Sequence, residues 1–353
     1  SASDFDFPLV AVGFYYDKGY FRQRLDVVGM QQEDYLKVDR ESLPLLPAVG
    51  TDGKPVRVTV ETRQGQIHAQ VWQLAVGRRT LLLLDSDVDG NAPEDRQLTS
   101  RLYGGDNRVR IRHEVLLGIG GLRALRAMGI DPGVIHMNEG HSAFAVLEEI
   151  RRRMEFEAID FEEAAMRVAD STVFTTHTPV PAGHDRFDVG LIDEHIGPIG
   201  DAIGLDTDAL MALGRVDADD PGEEFCMTVL ALKHSSQANA VSSLHGDVSR
   251  GMWHSLWPER PLSRVPIGHI TNGVHVPSWL APQMHQLYDR CLGPQWRDGL
   301  GIPDTWIDTD RISDAELWET HMTLKARLLD FVRRRAAAEA ESRGEDAAIC
   351  AQL

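Results

Sequence analysis

Four short apolar runs, each ending in a polar or glycine-bearing tip, constrain this chain more than any other feature. They lie at 8–13, 133–138, 171–177 and 265–272. Strands buried on both faces of a parallel sheet read as continuous apolar runs and turn polar where they leave the sheet. Helical patterns separate the runs. Val115, Leu116, Ile119, Leu122, Leu125 and Met128 share one helical face, and Asp131-Pro132-Gly133 stops that helix before the next strand. The alternation predicts an α/β fold with a doubly wound, mostly parallel sheet.

The apolar mass to fill such a fold is present, since 42% of the 353 residues are hydrophobic. Its 36 basic residues against 54 acidic ones give a net charge of −18, which repels nucleic acid and anionic membranes; a neutral or weakly charged partner fits better. Cys226, Cys291 and Cys350 stand far apart without a CxxC pair, so neither a disulfide framework nor a thiolate zinc site is expected, and a reducing cytoplasm is the predicted setting. No run approaches the ~18 apolar residues of a membrane helix. The polar start, Ser1-Ala2-Ser3-Asp4, followed by a stretch at 5–14 that reads as a buried strand, predicts that the chain begins inside a domain.

Three further textures complete the layout. Val56, Val58 and Val60 alternate with polar residues and Gln64-Gly65-Gln66 supplies a turn, predicting a small antiparallel insertion at about 50–85. Residues 217–224 form an acidic Pro/Gly loop. Ser313-Asp314-Ala315-Glu316 is a capping box opening a long helical stretch. The expected division is therefore a domain over 1–312 and a helix over 313–353.

Ligands of open α/β sheets bind beyond the carboxyl ends of the strands. Those positions hold Asn138-Glu139-Gly140-His141-Ser142, then His177-Thr178-Pro179, then Asn272-Gly273-Val274-His275. Fixed donors and acceptors of this kind suit a hydroxyl-rich ligand such as a sugar. Each feature also has a plainer reading. Glu139 and His141 can simply cap the helix that follows. His136 and His141 straddle a strand-to-loop step, which does not bring them together as metal ligands, and no metal is expected. Gly118-Ile-Gly-Gly121 lies within an amphipathic helix, where close packing explains it better than a dinucleotide loop does. Arg101, Arg108, Arg110 and Arg112 could gather a phosphate or be ion-paired.

Taken in order, Tyr103-Gly-Gly-Asp106-Asn107, the string from His136 to Phe144, the string from Thr175 to His184, Ala238-Asn239, the string from Leu244 to Ser249, and Thr271-Asn-Gly-Val-His275 resemble the bacterial α-glucan phosphorylases. The resemblance implies a retaining glycosyltransferase of two Rossmann-like domains (the GT-B architecture), of which this chain matches the N-terminal domain. It implies phosphorolysis of an α-1,4-glucan by inorganic phosphate to glucose 1-phosphate, with pyridoxal phosphate as cofactor of the full-length enzyme. By the same resemblance Asp106 and Asn107 match the gate loop, His177 the substrate-side histidine and Asn239 an asparagine beside the glucose site, while Asn138, Glu139, His141 and Asn272 are expected to bind the sugar from their place at the strand ends. Asn239 is expected on a helix bordering the glucose site. Ala240 stands where that family usually has Gly, and Ser236 where a basic residue is common. The family's cofactor lysine and most of its phosphate-binding residues have no match here, so the chain is expected to be inactive alone. A non-catalytic glucan-binding module is the alternative.

Overall fold

The computed structural model describes residues 1–102 and 105–345. They form two compact units, one of residues 1–21 and 35–272, the other of 22–34 and the residues from Gly273 onward. The strands are β1 (Val10–Phe14), β2 (Arg22–Leu25), β3 (Gln31–Asp34), β4 (Leu46–Pro47), β5 (Arg57–Thr62), β6 (Gly65–Val76), β7 (Arg79–Asp85), β8 (Ile135–Asn138), β9 (Thr172–Thr176), β10 (Arg186–Phe187), β11 (Phe225–Cys226), β12 (Gln237–Ala240) and β13 (Ile267–His269). The helices are α1 (Asn107–Val115), α2 (Gly121–Ala127), α3 (Ala145–Glu157), α4 (Phe161–Asp170), α5 (Val189–Ala202), α6 (Thr207–Gly214), α7 (Met227–Lys233), α8 (Ser243–Met252), α9 (Val276–Trp279), α10 (Pro282–Leu292) and α11 (Asp314–Ser342).

The first unit holds two main sheets. In one, β8, β9, β12 and β13 lie side by side in chain order, all parallel. In the other, β1 runs parallel to β7, β7 antiparallel to β6, and β4 and β5 both pair antiparallel with β6. The expected single doubly wound sheet is corrected accordingly. The run at 8–13 belongs to a different sheet from the other three: one edge of β1 bonds to Thr80–Leu84 of β7, and among the described residues its other edge pairs with no strand. Among the described residues the all-parallel sheet shows no reversal of strand order. The antiparallel strands read at 56–84 pair with one another, yet through β7 they are continuous with β1. The expected buried strand at 5–14 is shortened as well. Phe5 and Phe7 are exposed, because Ser1 to Phe7 close on themselves in a turn through bonds such as Phe7 N–H to Ala2 O at 2.9 Å.

Helices α1 and α2 are one rod interrupted by a π-helical turn, Leu116–Gly120. Val115, Leu116, Ile119, Leu122 and Leu125 are all buried, as their spacing predicts. Gly118 sits where a Cβ would lie 2.7 Å from the backbone nitrogen of Ala145, so here the glycine lets two helices touch. Phe144, Leu147 and Ile150 from the α3 side, Phe174 of β9, and Phe187 and Phe225 of the short β10–β11 pair complete the core. Each such side chain contributes roughly 1.5–3 kcal/mol on burial.

In the second unit, β2 and β3 form a hairpin, and α10 packs with Tyr288 edge-on to Trp296 and Trp306, ring centroids 5.4 and 5.8 Å apart. The 29-residue α11 opens on the capping box: Glu316 N–H donates to Ser313 Oγ at 3.3 Å, and the Ser313 hydroxyl donates to Glu316 Oε2 at 2.9 Å. No described helix is long and apolar enough to cross a membrane.

Candidate functional site

The parallel sheet places Asn138, Thr175, Asn239 and Gly268 in one row across its four strands. Strand register alone therefore assembles side chains that lie up to 101 positions apart in sequence. The Thr175 hydroxyl donates to Asn239 Oδ1 at 3.1 Å, so the 2.8 Å contact between His136 Nε2 and Thr175 Oγ1 requires an Nε2–H donor on His136. Burial, then the neighbouring His177, lowers the His136 pKa and keeps the ring neutral. His136, Thr175 and Asn239 thus form a directed hydrogen-bond chain along the strand ends.

Immediately beyond this row, His177 is held from two sides. Its Nε2 bonds to Asn138 Oδ1, and its backbone N–H donates to Glu139 Oε2 at 2.8 Å. The same Glu139 oxygen accepts the Thr178 hydroxyl at 2.8 Å, and Glu139 Oε1 accepts the Thr176 hydroxyl at 3.4 Å. Glu139 is buried, with φ 69° and ψ 174°. Side chains rarely adopt this backbone region, and such strain concentrates at functional sites.

A second group begins two residues later. His141 Nδ1 lies 3.4 Å from Asp185 Oδ2 and 3.6 Å from Glu114 Oε1, and Arg110 donates to Asp185 at 2.7 Å. Hydrogen bonds to Asp185 and Glu114 push the His141 pKa up to about 10. Burial works against the Asp185 carboxylate, yet its bonds to His141 and Glu114 and the charge of Arg110 bring it down to about 2. Burial drives Glu114 well upward. Glu114, His141 and Asp185 are grouped closely enough to ligate a metal, but the imidazolium and Arg110 already supply positive charge there.

The remaining expected residues fall as follows. Asp106 caps α1 by accepting the Val109 N–H at 3.1 Å, and Asn107 Nδ2 donates to Arg186 O at 3.4 Å, beside Asp185. Tyr103 and Gly104 lie outside the described residues. Asn272 follows β13, its backbone N–H bonded to Val241 O at 3.1 Å and its side chain exposed. Asn239 stands on strand β12 and not on a helix; the segment Gln-Ala-Asn-Ala has no β-branched residue and becomes a strand because β9 and β13 pair it from both sides. Ser236 precedes β12 at its amino end, bonded to Asp170 O, while Ala240 is fully buried at the carboxyl end. The arginines are paired: Arg108 with Glu194, Arg110 with Asp185, Arg112 with Asp95, while Arg101 stacks over Tyr35 at 4.3 Å. His184 is buried against Thr228 and Trp253.

The sequence reading passed over Thr175, Thr176, Glu114 and Asp185. The two threonines carried a signal, because hydroxyls inside an apolar run must find partners once buried.

No family model matches the chain. Among curated proteins, the maltodextrin phosphorylase of Thermococcus litoralis is 42% identical over 95% of this chain and 39% of its own length. The glycogen phosphorylase of Mycobacterium tuberculosis is 43% identical over 95% of the chain and 40% of its own length. That of Aquifex aeolicus is 34% identical over 95% and 48%. The chain therefore spans less than half the length of these curated relatives.

Proposed function

We propose that this chain, related to the glycogen and maltodextrin phosphorylases over 95% of its length, supplies the sugar-binding wall of an α-glucan phosphorylase. In that reaction inorganic phosphate attacks the anomeric carbon of the terminal glucose, the α-1,4 C–O bond breaks, and the departing glucan oxygen takes up a proton. Glucose 1-phosphate and a shortened glucan result. The observation that carries the reading is the fixed placement of His177 at the end of β9, between Asn138 and Glu139 and next to the Thr175–Asn239 row.

His177 donates through Nε2 to Asn138, which turns Nδ1 toward a ligand hydroxyl. Asn138, Asn239 and Asn272 would offer amide donors and acceptors to further sugar hydroxyls, and we assign Asp106 and Asn107, at the start of α1, to the rim of the site. We assign Glu139 a positioning role, because both its oxygens are bonded to the 176–178 segment. His141 acts likewise within its carboxylate pair.

Pyridoxal phosphate, which the resemblance implies for the complete enzyme, does not fit the residues described here. Lys18 and Lys37 line a separate hollow beside Tyr15 and Asp85, and Lys233 Nζ donates to Ala212 O and Arg215 O at 3.1 and 2.6 Å. Lys54 lies in the turn before β5 and Lys325 on α11, and none of the five lysines belongs to the segments that directly follow β8, β9, β12 and β13, so no catalytic step is assigned to the cofactor in this chain. We further propose that these residues are the N-terminal half of a GT-B architecture, that the rest of the complete enzyme supplies phosphate binding and the proton for the leaving glucan oxygen, and that the setting is cytoplasmic.

Titration of maltoheptaose into the isotopically labelled chain tests the sugar site. The His177 ring and the Asn138 and Asn239 amides should shift together, and His177→Ala should remove the response. Shifts confined to another surface would overturn the assignment.

A further inference from the structure

We propose that His136 and Thr175 are positioning residues of the sugar site, which through one directed hydrogen-bond chain fix the donor and acceptor edges of the Asn239 amide. The proposal deepens the glucan reading and rests on it. Side chains alternate between the faces of a strand, and the register sets Asn138 beside Thr175 and Thr175 beside Asn239. One face therefore carries His136 and Asn138 from β8, Thr175 from β9 and Asn239 from β12, with His177 following Thr175 by the same step of two. Strands of a parallel sheet are ordinarily apolar on both faces. Here these polar side chains divide into two bonded sets, His177 with Asn138 and His136 with Thr175 and Asn239.

Taken by themselves, the three groups of the second set permit two orders. In one, His136 Nε2–H donates to Thr175 and the Thr175 hydroxyl donates to Asn239 Oδ1. In the other the amide is turned over, its Nδ2–H donates to Thr175, and the hydroxyl donates to a bare His136 Nε2. The carbonyl of Ala240 chooses between them. It accepts the Ile270 N–H at 2.9 Å and lies 3.3 Å from Asn239 Nδ2, and a carbonyl oxygen can only accept. The turned amide would set its own oxygen against that carbonyl, leaving two acceptors face to face beside a fully buried residue. Nδ2 therefore stays with Ala240, Oδ1 takes the Thr175 hydroxyl at 3.1 Å, and the hydroxyl oxygen is left to accept His136 Nε2–H at 2.8 Å. Thr175 is 7% exposed, so its hydroxyl depends on these two partners rather than on bulk water. Asn239 then presents one free N–H and one free carbonyl lone pair in fixed places. Sugar hydroxyls both donate and accept, so an amide free to turn over would read them in either sense and a pinned one in a single sense.

Nitrogen spectra of the histidine rings and maltoheptaose titrations of the purified chain test this together. In the free chain His136 should carry its proton on Nε2, with Nδ1 bare. Thr175→Val, which keeps the shape and removes the hydroxyl, should weaken maltoheptaose binding about tenfold and abolish the Asn239 amide response while the His177 ring still shifts. Thr175→Ser should stay within about twofold of the native chain. His136→Leu should lose about fivefold, and His136→Gln, which returns a donor in place of Nε2–H, should recover most of it. The double variant His136→Leu with Thr175→Val should bind no more weakly than Thr175→Val alone, because both changes break one chain. A proton on Nδ1 in the free chain overturns the proposal, as do serine and valine variants of equal affinity, glutamine and leucine variants of equal affinity, or losses that add in the double variant. A native chain that binds no maltoheptaose would sink the sugar reading instead, and the ring tautomer, measured without ligand, would still decide the order of the bonds.

Discussion

The carboxylate of Glu139 accepts the backbone N–H of His177 at 2.8 Å while its own backbone stands at φ 69°, ψ 174°. A strained residue at one strand end thus fixes the conformation of the next. Three hydrogen bonds, one from a backbone amide and two from hydroxyls, hold the strain in place.

Glu139→Ala should destabilise the fold by about 2–4 kcal/mol, since it removes charge-assisted bonds from a buried site. Glu139→Gly should cost about 1 kcal/mol less, because glycine accepts the positive φ without strain. Urea unfolding of both variants measures the difference. An alanine variant as stable as the glycine one would show that the backbone is not strained in solution.

The His141 group makes stability depend on pH. A histidine whose pKa rises on folding, here to about 10, contributes stability fully below its unfolded value near 6.5 and loses it as pH rises toward 10. Asp185, held near 2, contributes above its unfolded value near 3.9 and loses its share as pH falls toward 2. Screening at the 42% exposed His141 side chain should narrow the pH span of its loss, and Glu114, raised by burial, adds a loss of the same sign as pH rises. Unfolding curves between pH 6.5 and 10 should decline for the native chain and decline less steeply for His141→Gln.

Gly118→Ala should destabilise the first unit by about 1–3 kcal/mol, since its Cβ meets the backbone of Phe144 and Ala145, which cannot yield cheaply. Gly121→Ala meets only the end of the Val12 side chain at 3.2 Å, and its gain in helix propensity offsets the crowding to within about 1 kcal/mol. Thermal unfolding should rank the two in that order.

The purified chain given pyridoxal phosphate, maltodextrin and phosphate should form neither an imine absorbance nor glucose 1-phosphate. Orientation of a sugar without preorganised cationic donors leaves the developing charge unstabilised, a term often worth several kcal/mol. Clear turnover would reveal a phosphate and cofactor site among these residues.

The second unit should bind a hydrophobic dye. Leu328, Phe331 and Val332 lie at helical spacing on α11 and are exposed, as is Trp318 at 68%. Phe331→Lys should lower dye fluorescence by half or more with little change in melting temperature; an unchanged signal would place the dye elsewhere.

Much of the site was legible because it sits where strands end, and strand ends are marked by local sequence. Asn138 closes one apolar run with Glu139 next to it, His177 closes another, and the buried face of the α1–α2 rod is explicit in its spacing. What escaped depends on partners distant in the chain. Strand β12 has no apolar run of its own and forms between two neighbours. The separation of β1 from the other parallel strands depends on β7, some 70 residues later. Glu114 and Asp185 acquire their character only when folding sets them against His141. Trp306 lies inside the Tyr288 cluster, whereas Trp318 is exposed on α11.

The π-helical turn at Leu116–Gly120 also acts as a phase adjuster. Each residue advances a helix by about 100°, so the added residue of a π-turn resets the azimuth of everything before it relative to everything after. With the turn in place, α2 lays Gly121 against Val12 while Glu114 and Arg110, about two and three turns earlier, face His141 and Asp185. Deleting a single residue from this turn would make the rod a regular helix and swing its first half about its axis. The hydrophobic seam would survive on one half only, and the carboxylate of Glu114 would rotate out of reach of its histidine.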